Sequence, residues 1–467
     1  MGKRQFNNMV SITLTLFLLS ACSSGESAYE SLDFPDEPPK EVLYDTSIIE
    51  LESEWGPMNT HDPSIFKDGE WYYTFSTDIK VGGTPSAGIQ VRKSKDLITW
   101  EYIGTALSSI PEDAFDWTGA TNLWAPDVTK IGNTYYLYYS VSTFGSNQSW
   151  IGLATSSDIE GPWKDQGEVI KSETSDEYNA IDPAITYDKE GNLWMSYGSF
   201  FGGIYIKQLN AETGKPIDSK AGKLIAKRSP EAGSAIEGPY ITYNEKEDKY
   251  YLFVSYDSLY EDYNVRVSRS DEIDGEYVDY NNNSMTDIDL FAYEVGTKLL
   301  GGYKFEGSEG WIAPGHNSIL NDDGNYYIIH HARGEEDTNW PYLHIRRILW
   351  SDDGWPLISP ERYAGEQEQS ISKAALEGEW QFISQNMYNN GILASENMTL
   401  LSKGEIEGNT KVKSWELSDE NTLHLVYEDK KVTGKLIPSW DWENWNKTIV
   451  FTGIDDSGTT FWAKKIQ

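Results

Sequence analysis

Cysteine is almost absent from this chain of 467 residues, since Cys22 is the only one. An intrachain disulfide is therefore excluded. Cationic side chains are also scarce, because 38 Lys and Arg stand against 74 Asp and Glu and give a net charge of −36. This balance argues against binding to nucleic acid or to anionic membranes through a basic patch. It indicates instead a solvated acidic surface, with a specific cation-binding role as the alternative.

A long apolar run is missing as well. The run from Ile12 to Leu19 follows Lys3 and Arg4, and it is too short to cross a membrane, so it predicts a secretory signal. The run leads into the sequence Leu-Ser-Ala-Cys at 19–22, which resembles the bacterial lipobox. The resemblance implies lipidation of Cys22 and an exported protein held at the bacterial cell surface or membrane by this anchor alone. An incidental cysteine at the end of the signal is the alternative.

What the sequence does contain is a motif in five copies, each with a short apolar strand, a turn and an aromatic strand. The first two copies align without a gap, so that Pro63 and Gly69 match Pro126 and Gly132. Further strand-like runs follow each copy and give about four strands per unit. Five such units predict a five-bladed β-propeller, an all-β fold with its blades around a central channel.

The composition, with 39% hydrophobic and 13% aromatic residues, indicates a sizeable core and two domains. Short alternating strands near the C-terminus predict a small antiparallel β-barrel or sandwich. The predicted organisation is a lipoprotein signal peptide at 1–22, a solvated spacer at 23–54, the propeller at 55–360, a linker at 361–374 and the barrel at 375–467. In the barrel, Trp440, Trp442 and Trp445 form either a sugar platform or a core cluster.

One position of the repeat carries the chemistry, because radial symmetry brings equivalent positions of all blades to the mouth of the channel. This position is occupied by Asp62, Ala125, Asp182, Glu237 (or Gly238) and His316. Three carboxylates and an imidazole in one region are costly for a core, since like charges repel and buried carboxylates need partners. An Asp before Pro is also a common turn residue, so each carboxylate alone has an ordinary structural explanation.

Two carboxylates that flank a glycosidic bond can hydrolyse it, one by activating water and the other by protonating the leaving oxygen. Here Glu237 would need its pKa raised by nearby negative charge, which Asp182 in the adjacent blade is placed to supply. Asp62 would stay ionised. Carboxylates two blades apart across the channel leave room for a water, which favours inversion of the anomeric configuration.

Six segments in order resemble glycoside hydrolase family 43, and specifically its endo-α-1,5-L-arabinanases. These are residues 61–64, 122–128, 180–183, 196–200, 236–240 and 315–318. The region from 375 resembles the C-terminal β-barrel domain of the longer extracellular arabinanases of bacilli. The resemblance implies hydrolysis of internal bonds of plant cell-wall arabinan, with Asp62 as general base, Glu237 as general acid and Asp182 as the residue that tunes and orients the acid.

The resemblance also implies that His316 holds a metal ion, usually calcium, in the channel beneath the site, with waters completing its shell. Calcium prefers oxygen ligands, so the chemistry of the imidazole alone favours a structural histidine. Substrate contacts are implied at Asp62 and Glu237. Further contacts are implied at Gly119, Trp124, Asn179, Ser199 and Phe200.

Three other functions remain open at this stage. The first is an exo-acting α-L-arabinofuranosidase or a β-xylosidase on the same propeller, since such enzymes share the three carboxylates. The lengths of the loops around the mouth decide between exo and endo action. A surface glycan-binding lipoprotein without catalysis is the second, although the intact Asp62, Asp182 and Glu237 argue against it. A purely structural or partner-binding propeller is the third.

Overall fold

The computed structural model describes residues 28–466, and the described chain folds into six β-sheets. Five of them are the blades of a propeller and the sixth is a nearly closed barrel at the C-terminus, so the predicted fold class is confirmed. The signal peptide and Cys22 lie outside the described residues. Within the described residues, no helix is long and apolar enough to cross a membrane.

The first two blades are antiparallel sheets whose strands pair in chain order. Blade one consists of β1 (Ser64–Asp68), β2 (Trp71–Ser76), β3 (Gln90–Ser94) and β4 (Glu101–Thr105). Blade two consists of β5 (Trp124–Ile131), β6 (Thr134–Val141), β7 (Ser149–Ser156) and β8 (Lys164–Ser172). Helix α1 (Glu112–Thr118) lies between the two blades in the chain.

Blades three to five follow the same plan with additions. Blade three consists of β9 (Ala184–Tyr187), β10 (Leu193–Tyr197), β11 (Ile204–Asn210), β12 (Lys215–Pro216) and β13 (Lys223–Ala226). Blade four consists of β14 (Ile236–Asn244), β15 (Lys249–Tyr256), β16 (Asn264–Ser270) and β17 (Thr297–Leu300). Blade five consists of β18 (Tyr303–Lys304), β19 (Trp311–Asp322), β20 (Asn325–Gly334), β21 (Pro341–Trp350) and β22 (Pro356–Ile358). Short 3-10 helices span Thr46–Ile48, Glu52–Glu54 and Pro230–Ala232.

The gapless match of the first two repeat copies is reproduced in the strand register. Lys67 pairs with Tyr72 in blade one, and Lys130 pairs with Tyr135 in blade two. The hairpin turns at Gly69 and Gly132 both have φ of 61°, a left-handed conformation that glycine adopts at little cost. The same local sequence therefore builds the same hairpin twice.

The C-terminal sheet has eight strands, in the order β26, β25, β23, β31, β30, β29, β28 and β27. They follow helix α2 (Lys373–Leu376). The strands of this region are β23 (Gly378–Gln385), β24 (Leu393–Ala394), β25 (Glu396–Leu400), β26 (Ile406–Glu407), β27 (Val412–Ser418), β28 (Thr422–Tyr427), β29 (Lys430–Asp441), β30 (Asn446–Asp455) and β31 (Thr460–Lys465). Strand β24 does not belong to this sheet. It pairs in parallel with β18 and so extends blade five.

The two domains meet beside one buried cation of the barrel, Lys464, whose ammonium lies over the ring of Phe305 in the propeller. The Lys464 ammonium lies 2.8 Å from Glu361, 2.9 Å from Asp441 and 3.0 Å from Glu443, and all four side chains are buried or nearly so. Glu361 belongs to the predicted linker, whose residues Glu366 and Ile371 are also buried. The linker is therefore packed between the domains, because its charged residues find partners there.

The described part of the predicted spacer, residues 28–54, differs from the solvated segment that its composition suggested. Tyr29 is buried in the core of the barrel, and the backbone of Asp33 bonds to Gln369. Further on, the backbone N–H of Tyr44 donates to the Tyr342 hydroxyl in blade five. The aromatic residues of this segment explain the difference, since they bury apolar surface that the acidic composition had obscured.

The tryptophan cluster of the barrel is largely buried rather than exposed to solvent. Trp440 and Trp442 are only 6% and 7% exposed, and the partly exposed Trp445 packs its ring against both. The Trp442 indole donates to the backbone oxygen of Arg362, whose guanidinium lies over the same ring. Of the two interpretations that the sequence left open, the structure supports a core and interface cluster.

Candidate active site

In every blade, one residue just before or within the strand that opens the repeat hairpin (β1, β5, β9, β14 or β19) has a left-handed backbone. These residues are Asp62 (φ 50°), Ala125 (31°), Asp182 (58°), Gly238 (58°) and His316 (47°). Positive φ is uncommon outside glycine, so its recurrence in five blades marks a shared structural position. In blade four that position belongs to Gly238, and Glu237 lies one residue before it. The equivalence drawn for Glu237 is therefore corrected, whereas Gly238, the alternative, is the structural match.

These five residues are joined around the channel by hydrogen bonds from their backbone N–H groups. In four cases the acceptor is a side chain near the end of the second long strand of the preceding blade: Thr77, Ser140, Ser255 or His331. In the fifth, Gly238 donates to Oδ2 of Asp182 at 3.1 Å. The ring fixes the backbone of Asp62, Asp182 and His316 at the mouth of the channel.

Asp62 is surrounded by histidines. Its Oδ1 lies 2.8 Å from Nδ1 of His61, 3.2 Å from Nδ1 of His316 and 3.7 Å from Nδ1 of His331. Its Oδ2 accepts a hydrogen bond of 2.6 Å from Thr77. Burial alone would raise the pKa of Asp62, but His61 and His316 outweigh burial and hold the pKa well below its ordinary value. Asp62 is thus ionised near neutral pH.

Glu237 has opposite electrostatics. Ser199 donates to its Oε2 and Tyr263 donates to its Oε1, both at 2.8 Å. These two bonds and the nearby His316 favour the ionised form. Burial is the larger effect, however, and together with the charge of Asp62 it raises the pKa of Glu237. Asp62 and Glu237 therefore differ, because Asp62 keeps its charge whereas Glu237 tends to keep its proton.

Asp182 is linked to the backbone next to Glu237. Its Oδ2 accepts a hydrogen bond from the N–H of Gly238, the residue that follows Glu237. Burial is the main reason that the pKa of Asp182 is raised, and the charges of Glu237 and Asp62 add to it. From the sequence we expected the charge of Asp182 to raise the pKa of Glu237. In the structure, burial of Glu237 itself contributes most.

The residues predicted to contact substrate lie in different surroundings. Ser199 touches Glu237 directly, and Phe200 donates its N–H to Ile236, the residue before Glu237. Trp124 is partly exposed and precedes Ala125 of the ring. Asn179 is buried, with its Oδ1 bonded by Ser149. Gly119 is the exposed C-cap of α1, and its N–H donates to the backbone oxygen of Phe115 in that helix.

Four residues that the sequence did not single out complete the site: His61, Thr77, Tyr263 and His331. The rings of His61 and His331 stack with centroids 3.8 Å apart, and Asp62 donates its N–H to Nδ1 of His331. One signal was present in the sequence, since a polar residue recurs at the end of the second strand of the repeat as Thr77, Ser140, Ser255 and His331. Tyr263, in the loop before β16, had no such signal.

The fit of a calcium ion at His316 is limited by the donor set around it. In the described part of the chain, two clusters offer three or more metal-ligating side chains, namely His61 with Asp62 and His331, and Glu361 with Asp441 and Glu443. His316 belongs to neither. Calcium prefers six to eight oxygen ligands. The side chains present therefore fit only an ion that keeps water for most of its ligands.

Known proteins resemble the chain along most of its length. An extracellular endo-α-(1→5)-L-arabinanase of Thermotoga petrophila is 35% identical over 454 residues, which cover 87% of this chain and 93% of the relative. An extracellular endo-α-(1→5)-L-arabinanase 2 of Bacillus subtilis is 31% identical over 456 residues, with 87% and 93% covered. The crystal structure of an endo-1,5-α-L-arabinanase from Thermotoga petrophila RKU-1 superposes with a TM-score of 0.80 at 34% identity, covering 88% of this chain and 99% of that one.

Two family profiles account for the two domains. Residues 360–463 match a C-terminal lipocalin-like domain, which includes the barrel. Residues 56–356 match the glycosyl hydrolases of family 43, and this range holds strands β1 to β21 of the blades with Asp62, Asp182 and Glu237. On this evidence the chain belongs to glycosyl hydrolase family 43.

Proposed function

We propose that the protein hydrolyses internal α-1,5-L-arabinofuranosidic bonds of plant cell-wall arabinan. The observation that carries the proposal is the pair of carboxyl groups with opposite electrostatics. Asp62 is held ionised by histidines, while the pKa of Glu237 is raised by burial. Two relatives that match over 93% of their own length are named endo-arabinanases, which supports the choice of substrate and of internal cleavage.

In the proposed reaction, Asp62 takes a proton from a water molecule, and the water oxygen attacks the anomeric carbon of the bound sugar. Glu237 gives its proton to the leaving glycosidic oxygen as the bond to carbon breaks. Asp62 ends protonated and Glu237 ends ionised, and exchange with solvent restores both. Because water attacks directly, without a covalent intermediate, the new reducing end has the inverted configuration.

Asp182 supports the acid in this proposal. Its Oδ2 holds the N–H of Gly238 at 3.1 Å and so fixes the backbone next to Glu237. Its position beside Glu237 also disfavours a second negative charge, since burial and then the charge of Glu237 raise the pKa of Asp182. Ser199 and Tyr263 orient the two oxygens of the Glu237 carboxyl group.

We further propose that His316 anchors a calcium ion whose other ligands are mostly water. The three carboxylates Asp62, Asp182 and Glu237 raise the pKa of His316 by their charge, although burial opposes this. The same negative potential would favour a bound cation. Such an ion would add positive charge beside Asp62.

Export and anchoring complete the proposal. The relatives are named extracellular, which supports export of this chain. We propose in addition that Cys22 is lipidated and holds the enzyme at the bacterial cell surface or membrane, on the strength of the lipobox-like sequence at 19–22. A Cys22→Ser variant tests the anchor, because it should appear in the soluble fraction. Unchanged partition with membranes would contradict it.

The activity is tested by following the products released from linear debranched 1,5-α-arabinan over time. Early appearance of mixed oligosaccharides would support an endo enzyme. Arabinose alone from the first time point would contradict internal cleavage, and no product at all would contradict the substrate. The matched control is Glu237→Gln, which keeps the shape of the side chain and should lower kcat by about 10²-fold to 10⁴-fold, the usual contribution of a general acid.

A further inference from the structure

A loop of the C-terminal domain reaches into blade four. It joins β23 to β24 and contains Asn386 to Asn390. Lys298 donates through Nζ to the backbone oxygens of Asn386 at 3.2 Å and Asn389 at 2.7 Å, and Arg266 donates to the backbone oxygen of Met387 at 3.0 Å. Arg266 and Lys298 are almost completely buried in blade four. The loop therefore satisfies two buried cations of the propeller.

Of the residues in this loop, Asn390 is the one whose hydrogen bonds lead toward the active site. Its side chain is 8% exposed, and its Nδ2 donates to Oδ2 of Asp257 at 2.7 Å. The other oxygen of Asp257 pairs with Arg228, which is buried. Asn264 donates to Asp257 as well, at 2.9 Å. Asp257 is thus held by one residue of the barrel domain and two of the propeller.

Asp257 opens the loop that ends at Tyr263. It follows β15, in which Ser255 is the register partner of Glu237. At the other end of the loop, Tyr263 donates to Oε1 of Glu237 at 2.8 Å. Asn264 joins both ends, since its Nδ2 also lies 3.0 Å from the backbone oxygen of Asp262. Hydrogen bonds therefore run from Asn390 through Asp257 and its loop to the carboxyl group of Glu237.

We propose that Asn390 is a positioning residue through which the C-terminal domain holds the loop 257–263, and with it Tyr263, against Glu237. The inference rests on the proposed role of Glu237 as general acid. Without the bond from Asn390, Asp257 loses the hydrogen bond that ties its loop to the barrel domain. Tyr263 then orients the acid less well, and small misplacement of a catalytic group can cost about 10²-fold in rate.

The test compares two substrates that differ in their need for an acid. Linear arabinan has a sugar alcohol as leaving group and needs protonation, whereas the nitrophenyl glycoside of an α-1,5-arabino-oligosaccharide has a leaving group that departs with little help. The variants are Asn390→Ala and the isosteric Asn390→Asp, which replaces the donor by a second carboxylate facing Asp257. The matched control is Tyr388→Phe, which removes a bond from the same loop to Glu294 without touching Asp257.

We expect both Asn390 variants to lose about 10-fold or more in kcat on arabinan, with KM nearly unchanged, and to stay within about 2-fold of wild type on the nitrophenyl substrate. Tyr388→Phe should behave as wild type on both. Equal losses on the two substrates, a change in KM alone, wild-type kcat, or unfolding of both variants at the assay temperature would overturn the role of Asn390. A wild-type protein that cleaves no arabinan would instead overturn the proposed function.

Discussion

Tyr263 donates a hydrogen bond to Oε1 of Glu237 at 2.8 Å, from a loop that starts at Asp257 beside the C-terminal domain. The bond favours the ionised form of Glu237, while burial favours the protonated form and is the stronger effect. The protonation of Glu237 therefore depends on a balance between burial, which favours the proton, and the hydroxyls of Ser199 and Tyr263, which favour the charge. This balance can be changed without removing the acid itself.

Tyr263→Phe should shift the alkaline limb of the kcat/KM profile on arabinan to higher pH. The substitution removes a donor that stabilises the charged carboxylate, so the pKa of Glu237 rises and the acid keeps its proton to higher pH. The alkaline limb of kcat/KM reports the acid of the free enzyme, which makes the profile the appropriate measurement.

Tyr243→Phe is a control for this experiment, since Tyr243 bonds to Asp248 at the surface of blade four and not to a site carboxylate. It should leave the profile unchanged. A Tyr263→Phe enzyme with the wild-type alkaline limb, or with a limb moved to lower pH, would show that the hydroxyl of Tyr263 does not govern the ionisation of Glu237.

Lys464→Met should destabilise the protein by about 3–5 kcal/mol, the usual cost of removing one partner of a buried ion pair. The substitution leaves Glu361, Asp441 and Glu443 together without their cation at the domain junction. Urea unfolding at neutral pH measures the loss. Lys430→Met is the control, because Lys430 is half exposed in its pair with Asp455 and should cost about 1 kcal/mol or less. Equal stability of both variants would contradict the importance of the junction.

The same junction predicts an acid limit of stability. Burial opposes the charge of Glu443, but Lys464 outweighs it and lowers the pKa of Glu443 to about 2. An unfolded glutamate has a pKa of about 4.3. The stabilisation from this group is therefore complete above that value and is lost as the pH falls toward 2. The difference in unfolding free energy between wild type and Lys464→Met should shrink over this range, and a constant difference would contradict the assignment.

Removal of bound divalent cations should lower both Tm and activity if calcium is held at His316. A chelator is added to wild type and calcium is then returned in excess, with Tm as the readout that does not depend on substrate. The His316→Ala variant should have a lower Tm that neither chelator nor calcium changes. A wild-type protein whose Tm and rate are indifferent to the chelator would contradict the calcium proposal.

The propeller could be predicted from sequence because each repeat copy is a local unit. The motif that begins near Pro63 specifies its own hairpin, and the copy near Pro126 specifies the same register. The site carboxylates could be found for the same reason, since the repeat places them at one end of each blade. Glu237 and Gly238 stayed alternatives for one repeat position because sequence alignment does not reveal φ, and in the structure Gly238 takes the left-handed conformation.

What the sequence did not reveal depends on contacts between distant segments. His331 accepts the N–H of Asp62 across 269 positions of sequence, and Asn390 reaches Asp257 across 133. The linker was misleading in another way, because Glu361 and Glu366 have the composition of a solvated segment but are buried in the fold. For Glu361, the partner is Lys464, near the other end of the barrel domain, and only the folded chain brings them together.

The central claim is that Asp62 activates a water while Glu237 protonates the leaving oxygen, and its most direct test is the configuration of the first product. Proton NMR during the first minutes of arabinan hydrolysis distinguishes the two anomers of the new reducing end before they interconvert. The β-anomer appearing first is the predicted result, because a single displacement by water inverts the α-linkage. The α-anomer appearing first would mean a double displacement and would contradict the assignment of Asp62 as a general base.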